Sequence, residues 1–182
     1  MSIILTKSVV QDQSPKTFDQ SRKIYIRLAQ IEDTEVLAEL WLAHRDYHTQ
    51  WSELYSYIPT AQSDWANQLI TWFHKQNHCI FLAENEYGNV LGYIHGSYHP
   101  WPLSPHEYYG SLNTISVLGE ARGQGIGRKL VNRILDWFKE HQIQYVSLHV
   151  DYHNDVALNL YRGVGFHLYQ HRLILNLNSE SD

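Results

Sequence analysis

The sequence is short of cysteine, of basic charge and of long apolar runs. Cys79 is the only cysteine among 182 residues. No intrachain disulfide and no cysteine-based zinc site can form, and such a chain suits a reducing compartment. Lysine and arginine total 14 against 19 acidic residues, a formal net charge of -5. A general nucleic-acid binder carries the opposite balance, so no nucleic-acid partner is expected. Mild negative charge serves solubility and tolerates a cationic substrate. Nothing approaches the roughly 18 uninterrupted apolar residues of a membrane span. The opening stretch MSIILTKSVVQDQSPK is interrupted by Lys7 and lacks a convincing small-residue cleavage site. The expectation is a soluble cytoplasmic protein with no membrane partner. Its length and its 43% hydrophobic content suit one domain with a sizeable core.

Histidine and aromatics are plentiful instead, with 12 His, 13 Tyr and 6 Trp. The histidines recur four apart: His44 and His48, His95 and His99, His149 and His153, His167 and His171. That spacing puts both rings on one face of a helix or strand. None of the pairs has the intervening Glu of the H-E-x-x-H zinc motif. Solvated or hydrogen-bonded histidines are expected, and no metal.

Residues 1–22 read as an N-terminal extension, 23–178 as the domain and 179–182 as a tail. IYIRLA (24–29) reads as a strand. EDTEVLAELWLAHRDYH repeats Val36, Leu37, Leu40, Trp41 and His44 at helical spacing, with acidic residues where the helix dipole favours them. Residues 62–76 form a second apolar helical face. HCIFLAE (78–84) and VLGYIHGSYH (90–99) make a hairpin around Gly88 and Asn89. PWPLSPHE (100–107) is a proline-stiffened loop. A strand over 108–118, a helix over 126–140, a strand over 144–150 and a helix from Asn154 to Arg162 follow. GFHLYQHRLILNL (165–177) closes as a strand or bent pair of strands. The order β-α-α-β-β-β-α-β-α-β predicts an α/β (α+β) domain, with about four helices flanking a mixed, mostly antiparallel sheet.

ARGQGIGRKL (121–130) places Gly123, Gly125 and Gly127 at a strand-to-helix junction. Glycine costs roughly 1 kcal/mol relative to alanine inside a helix. At a helix mouth, however, the first N–H groups are unpaired and the dipole is positive, and glycine lets a phosphate approach the backbone. The segment lacks the G-x-x-x-x-G-K-[ST] of a Walker A loop and the G-x-G-x-x-G of a dinucleotide fold. It does carry R-x-x-G-x-G, at Arg122, Gly125 and Gly127. That pattern resembles the acetyl-CoA pyrophosphate loop of the GNAT (GCN5-related) N-acetyltransferase superfamily. HNDVALNLYRGVGF (153–166) is similar to the family's later motif through Asn154, Tyr161, Gly165 and Phe166. The similarity covers about residues 24–177.

The resemblance implies an acetyl-CoA-dependent N-acetyltransferase acting by direct attack on a primary amine. It gives the backbone of Ile115, Ser116 and Val117 to the pantetheine arm. The main-chain amides of Arg122, Gly123, Gln124, Gly125, Ile126, Gly127 and Arg128 go to the pyrophosphate. Asn154 would hydrogen-bond the cofactor arm, and Tyr161 would protonate the departing thiolate as a general acid.

The chain departs from the family at the base. Many members resemble E-D-I-x-V on the strand before the loop, whereas this sequence reads NTISV, with Asn113 and Thr114 there. An amide does not accept the proton at neutral pH. Strand alternation puts Asn113 on the face of Ile115 and Val117, where it would orient a water or a substrate group. His149, His95 and Glu107 are the candidate bases, histidine being the residue type that titrates near neutrality, and a solvent relay is the alternative to them. The acceptor, a small-molecule or peptide amine, would meet aromatic segments carrying Asp46, Glu53 and Glu107. Cys79, away from the loop, argues against a ping-pong route. The alternatives are a silent acyl-CoA-binding or sensing domain, suggested by Asn113, and a metal enzyme built on paired histidines. A homodimer is compatible with everything in the sequence.

Overall fold

The computed structural model describes residues 23–177, so the expected extension (1–22) and tail (179–182) lie outside the described residues. Among these, β1 (Ile24–Leu28), α1 (Thr34–Thr49), α2 (Ala61–Phe73), β2 (His78–Asn85) and β3 (Val90–Pro100) come first in the chain. They are followed by β4 (Tyr108–Val117), α3 (Ile126–Glu140), β5 (Val146–Leu148) and α4 (Asp155–Gly163). The sheet order is the chain order, β1-β2-β3-β4-β5. The first three pairings are antiparallel and β4 with β5 is parallel. This is the mixed, mostly antiparallel sheet with four helices that the pattern predicts.

β2 explains why helices cover both faces. Cys79, Phe81 and Ala83 join the core under α3, while Ile80 and Leu82 join the core under α1 and α2. Alternation splits the strand between two buried faces, which is why it reads as a continuous apolar run. α3 buries Ile126, Leu130, Ile134 and Phe138 at helical spacing, each contributing about 1.5–3 kcal/mol. The helix sits so close that a Cβ on Gly96 or Gly110 would come within 3.0 or 2.9 Å of the Phe138 ring. Opposite, α1 and α2 bury Leu37, Leu40 and Leu69 against Tyr93, with Trp41 and Trp65 stacked at 5.4 Å.

The end of the chain differs from expectation. Residues 166–176 hold no regular structure, and Leu173 and Leu175 are 93% and 78% exposed. Strand propensity is realised only through a paired neighbour and a buried face. This apolar stretch meets neither.

Candidate active site

β4 and β5 pair at three levels only: Gly110 with Val146, Ser111 with Ser147 and Leu112 with Leu148. β4 runs on to Val117, so residues 113–117 have no strand on their β5 side. A bulge accompanies the separation. Across β3, His95 faces Thr114 and Gly96 faces Leu112, leaving Asn113 as an extra residue. Bulges bend a strand and sharpen its twist. β4 turns out of register with β5, which ends at Leu148 instead of the expected 150.

The bulge also re-aims side chains. The expected alternation, with Asn113 on the face of Ile115 and Val117, does not hold. Ile115 and Val117 pack into the core under α3. Asn113 Nδ2 instead donates to Ser97 Oγ at 2.9 Å, and its Nδ2 lies 3.5 Å from His95 Nε2. His95 sits against Trp72 of α2, 4.4 Å between ring centroids, so Asn113 faces the α1 and α2 layer. His149 follows Leu148, which packs on the α3 side. His149 directly follows the last rung on the β5 side, as Asn113 does on β4. Both residues are exposed where the strands part to form a fork.

The other candidate bases are placed differently. Burial drives His95 down to about 3, reinforced by His78 and His99, so it stays neutral and resists a proton. Its Nε2 meets His78 Nδ1 at 3.0 Å. Glu107 precedes the opposite end of β4, next to Tyr108, and is remote from the fork. Cys79 is buried, which pushes its thiol up to about 12. It is no thiolate nucleophile. Tyr161 on α4 is 7% exposed, and burial raises its phenol to about 12. It keeps its proton throughout the physiological range, as a proton donor must.

At the helix mouth, Gly123 (φ 78°) and Gly125 (φ 75°) occupy the left-handed region, and Gly125 is the N-cap of α3. Nothing lies within 4 Å of a Cβ built on either one. The first amide with a main-chain acceptor is that of Lys129, to Gly125 O at 3.1 Å. Among the described residues, the amides of 123–128 have none. This is an array of donors at a positive dipole end.

The two flanking arginines serve the scaffold. The Arg122 amide already donates to Gly119 O at 3.3 Å, so the free amides begin at Gly123. Arg122 Nε donates to Val117 O at 3.1 Å and its guanidinium covers Tyr47 at 4.3 Å. Arg128 donates to Gly163 O at the end of α4, where the dipole favours a cation. Asn154 caps α4, accepting from the Ala157 amide at 3.1 Å. It is 8% exposed, and its Nδ2 enters no hydrogen bond among the described residues.

The expected acceptor wall is aromatic. The His44 and His48 rings lie 4.1 Å apart on α1, and His48 meets Tyr55 at 5.3 Å. Burial, then the neighbouring His48, brings His44 down to about 3. Asp46 accepts from the Tyr57 hydroxyl. One group escaped the sequence reading: Tyr55 Oη donates to Asp151 Oδ2 at 2.9 Å, and His153 Nδ1 lies 2.9 Å from Asp151 Oδ1. Its only local signal is the D-x-H spacing, since Tyr55 is 96 residues away from Asp151. No three His, Cys, Asp or Glu among the described residues are placed to hold a metal. No helix among them is long and apolar enough to cross a membrane.

Comparison with known proteins gives this arrangement a family. Mycothiol acetyltransferase of Paenarthrobacter aurescens is 32% identical over 95 residues, covering 52% of this chain and 28% of that protein. N-alpha-acetyltransferase RimI of Mycobacterium tuberculosis is 36% identical over 89 residues, covering 49% and 52%. The chain thus spans about half or less of the curated relatives it matches. A predicted acetyltransferase of Clostridium acetobutylicum, solved with acetyl-CoA, superposes with a TM-score of 0.70 at 18% identity, over 85% of this chain and 97% of that one. The model of the acetyltransferase (GNAT) family matches residues 35–166, and the chain belongs to that family.

Proposed function

We propose that this chain transfers acetyl from acetyl-CoA to a primary amine by direct attack, within a domain spanning 23–178. The observation that carries this reading is the row of unpartnered amides at 123–128, beside a strand edge left open by the β4–β5 fork. The amides would hold the diphosphate. The β5-side edge of Ile115, Ser116 and Val117, where Arg122 Nε now donates to Val117 O, would pair with the pantetheine arm as an added strand does. The spare Nδ2 of Asn154 would hydrogen-bond that arm. The solved relative that carries acetyl-CoA supports the cosubstrate, and relatives named as transferases favour catalysis over a silent binding domain.

The thioester supplies an activated acetyl carbonyl. The acceptor nitrogen needs a free lone pair to attack it, and His149 at the fork would take the proton released on attack. Asn113 would orient the amine. Tyr161 would protonate the leaving sulfur. A small-molecule or peptide amine suits the aromatic wall, and the likeness to the N-alpha-acetyltransferase RimI supports an amine acceptor. A reducing, cytoplasmic location suits the buried single thiol.

Calorimetry with coenzyme A and acetyl-CoA tests the binding half, and thiol release with a panel of amines tests the transfer half. Binding of both cofactors and thiol release with an amine are expected. No association with either cofactor overturns the reading.

A further inference from the structure

Asp151 lies between the fork and the cap of α4, and both its oxygens are engaged. Oδ1 accepts from the His153 amide and faces His153 Nδ1, each at 2.9 Å. Oδ2 accepts from Tyr55 Oη at 2.9 Å. The Asp151 side chain is 12% exposed and that of His153 is 46% exposed. Burial works against ionisation of Asp151, yet the His153 amide, Tyr55 and the His153 ring together hold it below the ordinary carboxylate value.

A carboxylate on Nδ1 selects the tautomer protonated there, leaving the Nε2 lone pair open to solvent. Tyr55 belongs to the α1–α2 connection, and Arg45 anchors that loop through Tyr55 O at 2.6 Å. The Tyr55–Asp151 bond therefore joins the proposed acceptor wall to the β5–α4 loop. The groups facing this pair are Asp151, Tyr55, Arg45 and Arg172 around the Tyr55 hydroxyl, and Tyr152, whose ring lies 3.7 Å from that of His153.

We infer that His153, oriented by Asp151 and Tyr55, strips the proton from a cationic amine acceptor as it enters, before His149 and Asn113 receive it. The inference rests on the acyl-transfer reading above. The ammonium N–H bond breaks, its electron pair stays on nitrogen and the proton passes to His153 Nε2. The imidazolium is balanced by the Asp151 carboxylate and returns its proton to water from its exposed edge. His153 is the catalytic residue of this step, and Asp151 and Tyr55 are positioning residues. The geometry favours a proton acceptor over a cation anchor, because both carboxylate oxygens are already occupied.

The test compares His153→Gln and Asp151→Asn with the wild type on two kinds of acceptor at pH 7. One is an alkylamine, mostly protonated at that pH; the other is an arylamine of similar size, mostly neutral. kcat/KM for the alkylamine is expected to fall about 10²-fold in H153Q, the low end of general-base effects, and less than threefold for the arylamine. Added imidazole restores alkylamine turnover in His153→Ala. Equal losses on both acceptors, or no imidazole rescue, would overturn the inference while leaving acetyl-CoA binding intact. A wild type that binds acetyl-CoA but acetylates no amine also overturns it. A wild type that fails to bind acetyl-CoA overturns the underlying reading as well.

Discussion

Gly127 packs against Leu160: a Cβ built on the glycine would stand 3.2 Å from Leu160 Cδ2 and 3.8 Å from Ile115 Cδ1. The third glycine of the R-x-x-G-x-G segment therefore lets α3 approach α4, whereas Gly123 and Gly125 expose backbone. Arg128 reinforces the same junction by donating to Gly163 O. The glycine loop and the helix bearing Tyr161 are thus braced together at this junction.

Gly125→Ala and Gly127→Ala should separate these roles. At Gly125 an alanine meets no neighbour but must hold φ 75°, at a cost of about 1–2 kcal/mol. Calorimetry should show acetyl-CoA affinity reduced at least tenfold, because relaxation of that turn misaligns the amides. At Gly127, relief of helical glycine, about 1 kcal/mol, offsets mild crowding. Thermal melts should show a smaller stability change there than at Gly125.

Tyr161→Phe should lower kcat about 10²-fold with acetyl-CoA affinity unchanged within twofold. Burial raises the phenol to about 12 in the folded state, against 10.0 ordinarily. Below pH 10 both states keep the proton, and stability is independent of this group. Between about 10 and 12 only the folded state retains it, so stability falls as pH rises. Alkaline denaturation of the wild type should steepen there by about one proton more than that of Tyr161→Phe, in which Cys79 and the other raised tyrosines still contribute. Equal alkaline profiles would remove the buried phenol from the proton inventory.

His149→Gln should reduce kcat/KM for amines about 10²-fold without weakening acetyl-CoA. Asn113→Ala should raise KM for the acceptor several-fold more than it changes kcat, because an orienting group binds without moving a proton. Steady-state kinetics on one acceptor reads both. Identical kcat effects at the two positions would contradict the division of labour across the fork.

His95 and His44 are brought to about 3 by burial, against 6.5 unfolded. As pH falls from 6.5 towards 3, the unfolded chain takes up protons that the folded chain refuses. Stability should therefore drop with acidity in that window, with a proton uptake on unfolding approaching two from this pair. Denaturant melts from pH 7 to 4 measure the slope, which should lessen by about one proton in His44→Gln.

Much of this was legible in the sequence because local rules wrote it. α3 falls at the expected 126–140, since Ile126, Leu130, Ile134 and Phe138 repeat at helical spacing and Gly125 caps its N-terminus. β2 and β3 follow their apolar patterns around the turn at Gly88. Asn154 is the N-cap its residue type favours. The end of the chain departs from its pattern for the converse reason. HLYQHRLILNL has a strand's composition, but a strand requires a partner that composition does not supply.

The sequence alone determined the element order, the two apolar faces of the sheet and the glycine mouth of α3, because each depends on residues within a few positions of one another. Only the tertiary structure decided which way Asn113 points, that β4 and β5 part just before His149, that Arg122 and Arg128 brace the scaffold, and that Tyr55 reaches Asp151. Those four facts depend on a bulge and on contacts between distant segments. A strand's alternation is fixed by its own geometry until an unpaired residue enters one side of the ladder, and where that happens is set by the neighbouring strand.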